Sequence, residues 1–299
     1  MKIEKLIKSE LEYFQPMRDR EHRCSDSDRK IWQSETIRQR QERISLEVFD
    51  MCRGTVRYGP FKGLKLNRSP WWGRFDLGSQ CLGLYELEVL KKIERECKKG
   101  YATLIDIGAA DGYYAVGMLR SGMVDHAICF EQSTDGVNAI RTNWLSNGSP
   151  GSLEILAQAN DDSINSLPHK YLENSLILID IEGTEFDILS GNVFKKFNKC
   201  DLIVEIHNWV DDFREKYSSL LRAASDTHQI DVIERLERPT VSIPELRDFT
   251  DDNRLLLVSE RRPCMMRFLY LRPKEVGNPP LSEPGAFKGP VLPAPPQPA

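Results

Sequence analysis

The chain has 299 residues, 40% of them hydrophobic and 29% charged, which suits one large domain or one domain with sizeable additions. Its 41 Lys+Arg against 45 Asp+Glu leave a net charge of −4, so no global charge draws it toward DNA or an anionic membrane, and a nucleic-acid partner is not favoured. Seven cysteines with no C-x-x-C pair and no Cys/His cluster argue against a zinc centre and for reduced thiols.

The chain opens on Ile3, Leu6, Ile7, Leu11 and Phe14 at helical spacing, which predicts an amphipathic helix over 2–15 with a polar face suited to packing or to a second copy of the chain. That segment is not an apolar leader, and no run approaches transmembrane length, so a cytoplasmic protein away from the membrane is expected. Residues 17–43 are rich in Arg, Asp, Glu and Gln, with Ile37, Ile44 and Val48 continuing one helical face. Thr55 to Leu66, punctuated by Gly59-Pro60 and Gly63, suits a hairpin or tight double turn. Leu84 to Cys97 reads as a helix with Leu84, Leu87, Leu90 and Ile93 on one side.

From Tyr101 the pattern changes to short apolar runs separated by helical stretches. Strands are predicted at 103–107, 127–131, 153–157, 176–181, 202–206, 230–235, 255–259 and 267–271. Such alternation implies an α/β fold of Rossmann-like type: a mostly parallel sheet with helices on both faces, to which the last strands add an antiparallel C-terminal edge. Residues 239–253, rich in Pro, Asp and Thr, read as a surface loop. Cys129 and Cys200, in or beside apolar strand patterns, read as small hydrophobes. The tail from Glu275 to Ala299, dense in Pro and Gly, reads as disordered.

Three segments are expected. Residues 1–98 form a mainly helical extension or lid, 99–273 a cofactor-binding catalytic domain, and 274–299 a Pro-rich tail.

The chemistry is carried by strand ends. Asp106-Ile107-Gly108-Ala109-Ala110-Asp111-Gly112 closes the first strand in a glycine turn that lets backbone approach a ligand. A dinucleotide site would want G-x-G-x-x-G, yet Ala110 and Tyr113 hold the second and third glycine positions. Asp111 would repel a pyrophosphate at the helix N-terminus. S-adenosylmethionine has no phosphate and presents an amine and a sulfonium, which Asp106 and Asp111 suit better. Glu131, followed by Gln132, ends the second strand, where a carboxylate can accept from both ribose hydroxyls. Asp161, in Asn160-Asp161-Asp162, is a candidate acceptor for the adenine amine, although Asn and Asp are also ordinary turn residues.

The next strand ends in Asp180-Ile181-Glu182-Gly183, and period-two alternation aims both carboxylates to one side. Thr184 and Asp187 are spaced like a capping box. The fifth strand repeats the device with Glu205 and His207. His207 is the first candidate for a general base, with Glu205 orienting it or binding a substrate hydroxyl and Asp180 meeting both cofactor and acceptor. Asp180, Glu182, Glu205 and His207 are also a donor set for Mg²⁺ or Mn²⁺, although strand-end carboxylates more often form hydrogen-bond networks and no metal is assigned. Trp71, Trp72, Tyr85 and Glu86 are candidates for lining an acceptor cleft.

On DIGAADGYYAVG (106–117), CFEQS (129–133), NWLSNG (143–148), LIDIEGTEFDILSG (178–191) and IVEIHN (203–208) the chain resembles the FkbM-like branch of class I S-adenosylmethionine-dependent methyltransferases. The match spans roughly residues 101–210. The resemblance implies a seven-stranded sheet, S-adenosylmethionine as cofactor, and O-methylation of a hydroxyl on a sugar, glycan or natural product. The alternative from a different class is a non-catalytic cofactor-binding or assembly module that recruits partners through its N-terminal helices and Pro-rich tail.

Overall fold

The computed structural model describes residues 3–12, 30, 34–264 and 266–274. From Thr103 onward the short aliphatic runs fold as strands: β1 (Thr103–Ile107), β2 (His126–Phe130), β3 (Ser152–Leu156), β4 (Ser175–Ile179), β5 (Asp201–Ile206), β6 (His228–Ile233) and β7 (Arg267–Pro273). They form one seven-stranded sheet in the order β3-β2-β1-β4-β5-β7-β6. The first five are mutually parallel. Strand β7 runs antiparallel to both β5 and β6, which places the antiparallel pairing at the C-terminal edge as expected.

The helices are α1 (Ile37–Met51), α2 (Leu77–Cys81), α3 (Leu87–Glu96), α4 (Tyr113–Arg120), α5 (Thr134–Ser146), α6 (Asp161–Ser166), α7 (Glu185–Ile188), α8 (Gly191–Lys196), α9 (Phe213–Ser225) and α10 (Asp251–Leu257). Both faces of the sheet are covered, which explains why β1, β4 and β5 are buried at every position instead of alternating. Leu104, Leu178 and Ile203 face one core with Phe61, Val89 and Val116. Ile105, Ile177 and Val204 face the opposite core with Val193, Phe194 and Leu220. This two-sided division fixes which side of the sheet each strand-end carboxylate serves.

The N-terminal extension has its own core. A complete capping box, Thr36 with Gln39, starts α1. Ile44 and Val48 then turn inward, whereas Ile37, expected on the same face, is 76% exposed in the first turn. Across residues 55–65 a bridge pairs Thr55 with Lys65, and Val56 N–H donates to the Leu64 carbonyl at 2.8 Å, the tight double turn the glycines predict.

Two expectations fail beyond β6. Residues 239–253 are not a solvent loop: Ile243, Leu246 and Phe249 are buried with Ile44, Leu77 and Leu82 of the extension. Residues 255–259, predicted as a strand, instead begin within α10, where Leu257 is buried and Leu255 is 68% exposed. A five-residue apolar run does not distinguish strand from helix, and the acidic first turn Asp251-Asp252 decides it.

Residues 3–12 are helical and exposed; the remainder of the predicted 2–15 helix, most of 17–43 and the tail from Glu275 lie outside the described residues. Among the described residues, no helix is long and apolar enough to cross a membrane.

Candidate active site

Strand order reverses at β1, whose neighbours are β2 and β4, and at the carboxyl ends of these strands a cavity of about 680 Å³ opens. One end is walled by the glycine turn. Gly108 has φ +92°, and a Cβ there would stand 1.9 Å from the Asp180 carbonyl oxygen, so no side chain fits between β1 and β4. Ala109 and Ala110 follow with backbone exposed to the cavity, Ala110 at φ 47°. Gly112, φ +76°, is the N-cap of α4 and lies behind the wall.

Asp106 is the last inward residue of β1 on the α4 side, 3% exposed. Burial, reinforced by the charge of Asp180, pushes its carboxyl up to about 7. Glu131, just past β2, is 7% exposed and fixed by two backbone donors: Ala110 N–H at 3.0 Å on Oε2 and Ser133 N–H at 2.7 Å on Oε1. Each oxygen can accept one further hydrogen bond, as a vicinal diol would require, and Glu131 lines the cavity. Gln132 and Asp161 line the same end, Asp161 as the first residue of α6 after an Asn160 N-cap. Asp111 has a second task. Its carboxylate accepts from the backbone N–H groups of Trp71 at 2.7 Å and Trp72 at 3.0 Å, which holds the extension over the glycine turn.

The other end is walled by the strand-end acids and the extension. Strand β4 stops at Ile179; the Asp180 N–H still donates to the Ile107 carbonyl at 3.0 Å, and the chain then turns through Glu182 at φ 54° and Gly183 at φ +101°. Asp180 and Glu182 converge through this turn and not through strand alternation. Thr184 does not cap α7 with its side chain; its hydroxyl donates to the Ile181 carbonyl at 2.9 Å. Asp180 and Glu182 line the cavity, while Glu205 and His207 do not.

His207 is 1% exposed and sits behind Asp180. Its Nε2 lies 3.5 Å from Asp180, 3.7 Å from Glu182 and 3.8 Å from Glu205. On the other side Nδ1 meets Glu185 Oε1 at 3.1 Å, and that oxygen also accepts the His207 backbone N–H at 2.9 Å. Burial opposes the imidazolium, but the Glu185 hydrogen bond and the surrounding carboxylates outweigh it and raise the His207 pKa. Glu205 is paired with Arg262, which also reaches Glu86 at 2.9 Å. Burial likewise raises the Asp180 pKa.

Two members of this network, Glu185 and Arg262, escaped the sequence. Glu185, in the first turn of α7, is fully buried and meets His207 Nδ1 at 3.1 Å. Arg262 lies between α10 and β7, in a stretch without a motif. Glu86 lines the cavity from the extension in a left-handed conformation (φ 43°, ψ 49°), with Tyr114 donating to its carboxylate and burial pushing it up to about 8. Glu86 was among the residues expected to line an acceptor cleft, while its pairing with Arg262 has no local signal in the sequence. The helix expected from Leu84 consequently starts only at Leu87.

Asp180, Glu182 and His207 bring ligand atoms within 4.8 Å of one another, as do Glu86, Asp180 and Glu205. Arg262 pairs with both Glu86 and Glu205 of the second group.

No family model matches the chain, and no curated protein matches it. Similar solved structures include WbdD in complex with the kinase inhibitor LY294002 (TM-score 0.43, 10% identity, covering 62% of this chain and 40% of that one). TYW2 of P. horikoshii in complex with MeSAdo gives TM-score 0.36 at 11% identity over 61% of this chain and 60% of that one. The precorrin-6y C5,15-methyltransferase of Geobacter metallireducens gives TM-score 0.36 at 10% identity, over 48% and 72%.

Proposed function

We propose that the protein is an S-adenosylmethionine-dependent methyltransferase that O-methylates a small molecule or glycan. The supporting observation is one continuous cavity with the glycine turn and Glu131 at one end and Asp180 at the other. In this reading Glu131 takes the ribose hydroxyls, and Gln132 and Asp161 lie on the adenine side. The backbone of Gly108 to Ala110 admits the cofactor closely, with Asp106 and Asp111 as the nearby negative charges. The cofactor supplies an electrophilic methyl group on a sulfonium.

The chain's own residues must orient the acceptor, exclude water and take one proton. Asp180 is the group that faces the cavity. Burial raises its pKa, which makes the carboxylate a stronger base than a solvated one, and it is the proposed proton acceptor. His207 is a positioning residue behind it: held by Glu185, with its pKa raised by the surrounding carboxylates, it stands 3.5 Å from Asp180 and outside the cavity lining. Glu205, locked to Arg262, anchors His207 from the third side.

The test is methyl transfer from labelled cofactor by wild type and by Asp180→Asn, alongside calorimetry with adenosylhomocysteine. The expected result is micromolar binding in both and at least a ~100-fold loss of turnover in the variant. No binding at high micromolar ligand would overturn the cofactor assignment, and unchanged turnover would remove Asp180 from the mechanism.

A further inference from the structure

The cavity wall carries charge of one sign. Among the described residues that line it there is no Lys, Arg or His. The nearby cations stand behind the wall: His207 is 1% exposed and Arg262 12%. On the acceptor side the lining acids are Asp76, Glu86, Asp180, Glu182 and Asp187. Arg261 pairs with Asp76 at 2.7 Å and Arg262 with Glu86 at 2.9 Å. Asp180 and Glu182, by contrast, have no Arg or Lys within ion-pair distance among the described residues; they share His207 with Glu185 and Glu205, and the Arg262 charge acts on them only from farther off. That leaves an excess of negative charge at a half-enclosed mouth, where low-dielectric walls focus the field.

Two further observations point to an organic ligand at this end. Tyr113 lines the cavity at 9% exposure, and its buried hydroxyl has no hydrogen-bond partner. Tyr85, whose ring stands edge-on to that of Tyr113 at 5.8 Å, lines it as well, is partly open to solvent, and feels the charges of Glu86, Asp76 and Asp180. Carboxylates combined with open aromatic faces form the recognition chemistry of an organic cation. The same wall repels phosphates, carboxylates and nucleotide-linked sugars, which would enter with no cation to receive them.

We propose that the acceptor is a small organic cation, a hydroxyl compound bearing a protonated amine or quaternary ammonium, whose charged nitrogen is held by Glu182 at the cavity rim. The proposal rests on the methyl-transfer reading and specifies its substrate class. Glu182 is the discriminating residue because it is exposed to an entering ligand and lies on the turn after β4, beyond the proposed cofactor end.

The experiment incubates the full-length protein and labelled S-adenosylmethionine with a cellular small-molecule extract separated by ion exchange into cationic, neutral and anionic fractions. Label is expected in the cationic fraction. With that acceptor, Glu182→Gln is expected to lower kcat/KM at least about tenfold, mostly through KM, while adenosylhomocysteine affinity changes less than about twofold. Label confined to the neutral or anionic fraction, or an unchanged KM in the variant, would overturn the cation proposal and leave methyl transfer standing. Adenosylhomocysteine binding with no label in any fraction would overturn the transfer reading and the proposal together.

Discussion

Asp106 and Gly108 show how much of this site is decided by single positions. Because burial raises the Asp106 pKa to about 7, the apo protein holds a partly protonated acid beside the place proposed for a cationic ligand. Ionisation of Asp106 is disfavoured when the site is empty and favoured when a cation arrives, so binding releases a proton. Affinity for S-adenosylmethionine is therefore expected to rise as pH increases through about 7, and Asp106→Asn is expected to flatten that dependence in calorimetric titrations at several pH values. His207 has its pKa raised as well, so its contribution to stability is fully present below the unfolded value and is lost as pH rises through the folded one. Removing its hydrogen-bonded anion with Glu185→Gln should lower the His207 pKa in an NMR titration; no change would deny Glu185 its orienting role. Gly108→Ala places a Cβ on the Asp180 carbonyl at positive φ and is expected to destabilise the fold by more than about 2 kcal/mol in denaturant unfolding.

At the scale of elements, the extension and the glycine turn are tied by Asp111. With its carboxylate removed in Asp111→Ala, the Trp71 and Trp72 amides lose a charged acceptor worth about 1.5 kcal/mol or more. Hydrogen exchange at those two amides is expected to quicken at least about tenfold, with β1 protection unaltered. Asp111 was legible in the sequence as an acid at the start of α4, but its partner was not, since nothing local links residue 71 to residue 111. The same limit applies to Arg262 and Glu205. Strands β1 to β5 were legible because each is a short apolar run between turn signals, and the convergence of Asp106, Asp180 and Glu205 follows from parallel register. Pairing Ile179 with Val204 leads directly to Asp180 beside Glu205. Between β6 and β7 the pattern failed, because Ile243, Leu246 and Leu257 owe their burial to α1 and α2, far away in sequence, whereas β7 itself stands where it was expected.

For the whole molecule, that burial joins the extension to the sheet domain. Leu246 and Leu257 pack with Ile44 and Leu77, and Arg238 bridges Glu88 of α3 at 2.6 Å and Glu260. Residues 35–98 and 238–262 therefore support each other, and a single cooperative calorimetric transition is expected; two separated transitions would show an independently stable extension. The wall of the cavity depends on the same union, since Trp71, Tyr85 and Glu86 come from one partner and Glu131, Asp161 and Asp180 from the other. The central claim is that this shared cavity binds S-adenosylmethionine through Glu131. Parallel calorimetric titration of wild type and Glu131→Ala tests it most directly. One-to-one micromolar binding by the wild type and at least a ~100-fold loss in a folded variant is the predicted result; equal affinity in the two proteins, or no binding by either, would contradict it.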